Sequence, residues 1–406
     1  MTVADSGRPW WQPRAVLHRF VADLVAHDLV QQRRRPLERA FPWGDDLDLV
    51  ADLGVDSLEL LALATSLAEA LHLGESGLED GLLARRRLGD WVGIAEAGLS
   101  HFSRSLTFRT SGSAGRPKPC VHPLAHLQQE VAHLATLFPR RRRVLCAVPS
   151  HHIYGFLFSV LLPDAMGVPC SEVVDLRGSS PAWLARGAAP GDLVIGHPEF
   201  WQAVARTVTQ LPADVVGVTS TAPCPQEVSE AVLDAGLARL VQVYGASETA
   251  GIGWRESHTQ PYTLMPHWSF ADTDEALARK CPDGSVQRVA LQDAINDREG
   301  RTFSVGPRKD DAVQVGGINV FPARVRELLC GHPLVADAAV RLMRPEEGTR
   351  LKAFIVPRAQ ADATQLQQAL RELIDRELTA AERPMAISLG SSLPRNPQGK
   401  LADWNI

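Results

Sequence analysis

The sequence lacks any run of apolar residues long enough to span a bilayer. The longest, residues 153–162, is far short of the roughly 20 that a crossing helix needs. No basic segment leads into an apolar one at the start, where Asp5 and Trp10-Trp11 stand instead, so no secretory signal is expected. None of the six cysteines (Cys120, Cys146, Cys170, Cys224, Cys281 and Cys330) forms a Cys-x-x-Cys pair. Scattered in this way, they read as reduced structural thiols of a cytoplasmic, soluble protein. There is no excess of positive charge: 42 Lys and Arg face 47 Asp and Glu, for a net −5, which argues against a general nucleic-acid binder. No internal repeat or low-complexity tract appears. What is present is 406 residues at 45% hydrophobic content, enough for two to four domains with real cores.

The first hundred residues read as helical. Residues 15–30 place apolar groups three and four apart, the stripe of an amphipathic helix. A stretch rich in Pro and Arg, residues 31–44, breaks it. Further helical patterns follow at about 57–73 and 88–99. From about Leu106 the texture changes. Apolar, Gly-bounded segments at 143–148, 192–196, 215–220 and 240–243 alternate with helical ones at 124–138, 199–210 and 225–235. That alternation predicts an α/β layer with a largely parallel sheet. After Arg308 a smaller α+β unit is expected: a hairpin at 313–320, a helix from Pro322, strands at 335–342 and 351–356, and a helix at 363–378. The fold class is therefore multidomain α/β.

One loop stands out. Thr110-Ser111-Gly112-Ser113-Ala114-Gly115-Arg116-Pro117-Lys118 strips away bulky side chains, so backbone N–H groups can close around anionic oxygens, with hydroxyls and one lysine as further donors. By itself it also reads as a flexible turn. Its order, Gly-x-x-Gly-x-Pro-Lys, is not that of the common P-loop, whose lysine directly follows a glycine. Downstream come Pro149-Ser150-His151-His152-Ile153-Tyr154-Gly155, then Tyr244-Gly245-Ala246-Ser247-Glu248, then Gly306-Pro307-Arg308-Lys309-Asp310-Asp311, and last Pro394-Arg395-Asn396-Pro397-Gln398-Gly399-Lys400. In this order, from residue 106 to 406, they resemble the acyl-adenylate-forming (AMP-binding) enzymes.

The resemblance implies a chemistry. A carboxylate attacks the α-phosphate of ATP, two anions meet, and positive charge with Mg²⁺ offsets their repulsion. By resemblance, Thr110, Ser111, Gly112, Ser113, Gly115 and Lys118 cradle the β- and γ-phosphates. Ser247 touches the α-phosphate, and Glu248 holds the metal. Tyr244 and Gly245 flank the adenine, with Ser220, Thr221 and Ala222 as its other contacts. Asp293 and Arg308 take the ribose hydroxyls, His152 lies at the wall of the acid pocket, and Asp310 is the hinge. Lys400, on a mobile C-terminal domain, bridges the carboxylate and the α-phosphate as their bond forms. The expected division is a truncated adenylation core at 106–308 and a mobile domain at 309–406.

A second resemblance covers the N-terminal helices. Leu53-Gly54-Val55-Asp56-Ser57-Leu58-Glu59-Leu60-Leu61 looks like the attachment motif of acyl carrier proteins, in which a serine opening helix II carries 4'-phosphopantetheine. The same residues also suit an ordinary helix start, with Asp56 as N-cap and Glu59 in the first turn. On the first reading, residues 13–99 form a four-helix carrier-like domain and Ser57 is its modification site. Arginine runs at 33–35, 85–87 and 140–143 read as solvated faces, or as a docking surface for an acidic carrier.

Departures from the family pattern narrow the expectation. Ala114 replaces a threonine, no Gly-Glu-Leu precedes Asp293, and Met265-Pro266-His267-Trp268 stands in that region. The upstream part of the usual large domain is missing. This slim form resembles aryl acid–acyl carrier protein ligases of aryl-polyene pigment pathways. The implied activity is ATP-dependent activation of a small, hydroxybenzoate-like acid, followed by transfer to a carrier-bound phosphopantetheine thiol. The partners would be that acid and an acyl carrier protein, in trans or as the chain's own N-terminal domain. The alternatives are a small-acid CoA ligase and a non-catalytic carrier-like scaffold.

Overall fold

The computed structural model describes residues 8–110, 118–272, 276–358, 362–396 and 400–406. They divide into two compact units, one running to Pro307 and a smaller one from Arg308 to Ile406. The larger is built on a nine-stranded sheet. Its order is Asp293–Glu299, Thr302–Arg308, Tyr262–Leu264, Ala250–Arg255, Arg239–Ala246, Val216–Thr219, Asp192–Gly196, Arg143–Cys146 and Val173–Asp175. The last five are mutually parallel, and Ala250–Arg255 pairs antiparallel with Arg239–Ala246 to begin the other half. The parallel strands Asp192–Gly196 and Val216–Thr219 are buried at every position, as strands covered on both faces must be. Helices Pro198–Thr207 and Gln226–Asp234 flank them, and Trp201, fully buried, donates its indole N–H to the Val218 carbonyl at 3.0 Å.

The expected alternation appears close to its predicted places. What periodicity did not disclose is the run of short antiparallel strands between Ala250 and Arg308. There, polar and apolar residues mix because the strands are short and half covered. A separate three-stranded sheet, Trp268–Phe270, Ala276–Lys280 and Val286–Ala290, lies within that run.

The N-terminal segment forms helices Arg14–Arg33, Ser57–Leu71, Asp80–Leu83 and Leu88–His101, so the expected four-helix set is present. It does not stand apart from the α/β layer. Trp10 and Phe20 meet Phe156 at ring-centroid distances of 4.9 and 5.8 Å, and Phe108 meets the same ring at 5.5 Å. Arg19 donates to the Ser159 carbonyl at 2.5 Å. The apolar residues of these helices and those of the α/β layer make one continuous core. Each large apolar side chain buried there is worth about 1.5–3 kcal/mol, so the two parts stabilise each other. The helices expected as a separate domain to residue 99 thus share a core with one face of the α/β layer, while a second cluster around Trp201 covers the other.

The smaller unit carries a hairpin (Val313–Val315 with Ile318–Val320), helix Pro322–Cys330, the sheet Val335–Leu342, Leu351–Pro357 and Ala386–Leu389, and helix Ala363–Glu377. Its C-terminal tail is anchored by Lys352. That side chain is buried completely and gives its ammonium hydrogens to the Trp404 carbonyl at 2.6 Å, Glu347 at 2.7 Å and Asp403 at 2.9 Å.

If the N-terminal helices are part of one core, a chain starting at Ser103 should lack the cooperative thermal transition of the full protein. Circular dichroism melts of the two forms check this, and a truncated chain melting at the full-length temperature would contradict it.

Candidate active site

The parallel strands deliver the candidate residues to one edge. Pro149 to Gly155 follows Arg143–Cys146, Ser220 to Ala222 follows Val216–Thr219, and Tyr244 to Ala246 closes Arg239–Ala246. All lie at or beyond the carboxyl ends of parallel strands of one sheet, where open α/β sheets bind ligands. Thr110 and Lys118 pair across the connected end of the two strands Ser105–Thr110 and Lys118–Pro123. Ser111, Gly112, Ser113 and Gly115, between them, lie outside the described residues.

The loop after Val216–Thr219 is held tightly. Ser220 Oγ donates to the Val243 carbonyl at 2.8 Å, and Thr221 has φ of 79°. A β-branched residue with positive φ costs free energy that only surrounding contacts can offset, and such strain gathers at functional sites. The Tyr244 hydroxyl donates to Asp293 Oδ2 at 2.8 Å, so the two residues expected around adenosine stand side by side. A Cβ on Gly245 would lie 2.1 Å from the Ala250 carbonyl oxygen, so only glycine permits this close backbone approach.

The segment carrying Ser247 and Glu248 is braced by residues the sequence reading missed. His122 Nε2 donates to the Ser247 carbonyl at 2.6 Å. Glu130, fully buried, accepts the Gly251 N–H with both oxygens at 3.0 Å, and Trp268 Nε1 donates to the Gly251 carbonyl at 2.8 Å. Burial pushes the Glu130 carboxyl up to about 8, against the opposing pull of Arg279 and the Gly251 N–H. These residues sit up to 150 positions apart in the chain, and no local pattern marks them. Glu248 has no hydrogen-bond or ion-pair partner among the described residues. It raises the Cys120 thiol electrostatically, second to burial, to about 11. Its half-buried carboxylate is therefore free to take a hard cation, and its oxygen donors fit Mg²⁺.

His152 caps the start of helix Ile153–Phe156, which runs on through a π-helical turn, Leu157–Leu161. A Cβ on Gly155 would fall 1.9 Å from the Pro149 carbonyl oxygen, so the chain folds back closely on the His151-His152 segment. Ser150, just before it, donates both its N–H (2.7 Å) and its hydroxyl (2.6 Å) to Asp23, which is buried on helix Arg14–Arg33. Arg177 pairs with the other Asp23 oxygen at 2.6 Å and with Asp175.

In the smaller unit, Arg308 binds Asp310 bidentately at 2.8 and 2.6 Å, a contact that holds the Asp310 carboxyl below its ordinary range. Lys400 is exposed, and its backbone N–H donates to Asn396 Oδ1 at 2.9 Å. Ser57, exposed, opens helix Ser57–Leu71. Asp56 and Glu59 form a capping box, with the Asp56 carboxylate accepting from Leu58 N and Glu59 N. Glu59 is also gripped by Arg33 at 2.6 Å.

Burial lowers several histidines: His122 to about 4, His152 and His267 to about 3, and His151 well below its usual value. A histidine kept neutral in the folded state gains a proton only in the unfolded chain as pH drops below about 6.5. The histidines' contribution to stability should therefore be full above pH 6.5 and be lost as pH falls, down to about 4 for His122 and about 3 for His152 and His267, while Glu130, raised to about 8, acts in the opposite sense. Denaturant titrations of the parent and His267→Gln at pH 7.5 and 5 should show the variant losing less stability at pH 5 than the parent; the same change in both would contradict it.

Comparison with known proteins agrees with this geometry. The sequence model of the AMP-binding enzyme matches residues 106–275, and that of the AMP-binding enzyme C-terminal domain matches residues 325–400. The chain is 40% identical over 412 residues to a 4-coumarate–CoA ligase of Cereibacter sphaeroides, covering 96% of each chain. It is 35% identical over 405 residues to a 4-coumarate–CoA ligase of Rhodobacter capsulatus, covering 96% of this chain and 100% of that one. The amide bond synthetase McbA from Marinactinospora thermotolerans shares the fold, with a TM-score of 0.61 at 19% identity over 95% of this chain and 93% of that one. No described helix is long and apolar enough to cross a membrane. The chain belongs to the AMP-binding enzymes and is an adenylate-forming acid–thiol ligase of the acyl-CoA ligase type.

Proposed function

We propose that the protein activates a small aromatic acid of the 4-hydroxycinnamate class with ATP and passes it to the thiol of CoA. The observation that carries this reading is the extent of similarity to the 4-coumarate–CoA ligase. At 96% of both chains it takes in the N-terminal helices as well as the α/β layer. These helices back the His152 loop through Asp23 and Phe20, so the matched length includes the residues that support the proposed acid-pocket wall. It favours CoA over the carrier protein and the aryl-polyene pathway expected from the slim form and from residues 13–99.

In the first step an acid oxygen bonds to the α-phosphorus and the bond to pyrophosphate breaks. In the second, the thiolate attacks the acyl carbonyl and AMP leaves. Mg²⁺, when bound, offsets phosphate charge, and Glu248 supplies its protein oxygen donor. Lys118, Thr110 and the small residues between them in sequence hold the β- and γ-phosphates. Ser247 meets the α-phosphate, Tyr244 packs on the adenine beside Ser220–Ala222, and Asp293 with Arg308 takes the ribose. Lys400 stabilises the charge that builds as the acid meets the α-phosphate. Rotation about Asp310 exchanges the adenylation and thioester arrangements.

Acid-dependent pyrophosphate release, screened over hydroxycinnamates, benzoates and short fatty acids, should be fastest with hydroxycinnamates. CoA should accept the acyl group where a phosphopantetheinylated carrier protein does not. Faster transfer to the carrier would sink the CoA assignment. Lys400→Ala should lower pyrophosphate release by about 10²–10³-fold while leaving acid binding nearly intact. Glu248→Gln should raise the Mg²⁺ concentration needed for half-maximal rate.

A second reading keeps Ser57 as a phosphopantetheine site, favoured by its exposure at a helix start between exposed Leu58 and Leu61, which are 76% and 50% accessible. Treatment with a phosphopantetheinyl transferase and CoA, followed by intact mass, decides it. One added phosphopantetheine that Ser57→Ala abolishes supports the site, and an unchanged mass rejects it.

A further inference from the structure

Helix Arg14–Arg33 and the loop before helix Ile153–Phe156 place three imidazoles together. His27 meets His151 and His152 at ring-centroid distances of 4.6 and 5.0 Å, and the latter two stand 4.2 Å apart. One ring nitrogen from each can be chosen so that all three lie within 4.8 Å of one another. Both ring nitrogens of His151 are shut off from solvent with no hydrogen-bond partner among the described residues. Leaving such atoms unpaired carries a desolvation cost. A neutral imidazole carries one donor and one acceptor, yet these rings do not bond to each other.

We propose that His27, His151 and His152 form a binding site for a divalent transition-metal ion of the Zn²⁺ class, distinct from the Mg²⁺ position at Glu248. Three nitrogen donors suit zinc, copper or nickel and not magnesium, which takes oxygen. Three protein ligands with a fourth position open is a familiar zinc arrangement. Bonds near 2.05 Å in a tetrahedron require nitrogens roughly 3.4 Å apart, so binding draws the three rings, now within 4.8 Å, closer together.

The support around the site is rigid. Asp23 lies four residues before His27, on the same helix face, and holds Ser150, the residue before His151, through two hydrogen bonds. The positive charge of nearby Arg177 is offset by Asp23 and Asp175, its two ion-pair partners. Asp28 adds another carboxylate next to His27. Asp28 thus faces His27 with negative charge, while Arg177 is the charged side chain that acts on His151 and His152. A bound ion would tie the helix to the loop, with His152 as one of its ligands. Because His152 is also placed at the acid pocket by the proposed function, the test reads binding and not turnover. Failure of either reading is then visible separately.

The untagged full-length protein, stripped with a chelator, is titrated with Zn²⁺ against a chromophoric chelator in excess Mg²⁺. One equivalent should bind, and His27→Ala and His151→Ala should each weaken it by at least about ten-fold. The exposed His101→Ala should bind as the parent does. X-ray absorption of the zinc-loaded parent, which needs no variant, should show imidazole scattering and no sulfur. Absence of stoichiometric binding, unchanged affinity in both variants, or a sulfur-containing shell would each overturn the site.

Discussion

A buried carboxylate on the first helix fixes the loop that carries His151 and His152. Asp23 lies in the shared core and takes the Ser150 N–H, the Ser150 hydroxyl and the Arg177 guanidinium. A charge removed from water is tolerated only when such partners replace the lost hydration. The helix, the loop of His151 and His152, and the strand Val173–Asp175 next to Arg177 are therefore locked together. Moving any one of them leaves a buried charge or a buried N–H without its complement. The aromatic contacts of Trp10, Phe20 and Phe156 add area but no direction, whereas the Asp23 link specifies the register.

A comparable logic operates on the nucleotide side. Gly251 follows the Ser247-Glu248 segment closely and is gripped from both ends of its peptide unit by Glu130 and Trp268, while His122 takes the Ser247 carbonyl. The backbone that presents these side chains is thus fixed by groups from distant parts of the chain. Trp268 lies in the stretch where the sequence departs from the usual family pattern. Its indole, anchored beneath the strand, gives that departure a structural role.

The order of motifs from Thr110 to Lys400 and the alternation of strands and helices could be read directly, because each rests on local spacing. Helix Leu124–Leu137 and strand Asp192–Gly196 fall within a residue of their expected bounds. Three of the N-terminal helices were also legible, though not the short Asp80–Leu83, and so was the N-cap at Asp56. Their status was not. Amphipathic stripes show that a helix has a buried face but do not name the surface that covers it, so a separate carrier-like domain was as consistent with the stripe as the shared core. The antiparallel strands between Ala250 and Arg308 escaped because they are too short, and too evenly mixed in polarity, to leave a period.

By itself the sequence determined the chemistry on offer: a small-residue loop with a lysine, a Tyr-Gly-Ala-Ser-Glu exit, a terminal lysine after Pro-Gln-Gly, and the strands that would carry them. Only the tertiary structure decided which distant residues stand behind that chemistry. Asp23 and His27 come to the loop at 150–152 from more than 120 positions away, and Glu130 reaches Gly251 across a similar distance. Periodicity is a property of neighbours along the chain. Contacts across such separations follow from how whole faces pack, and no residue of the chain announces its partner in advance.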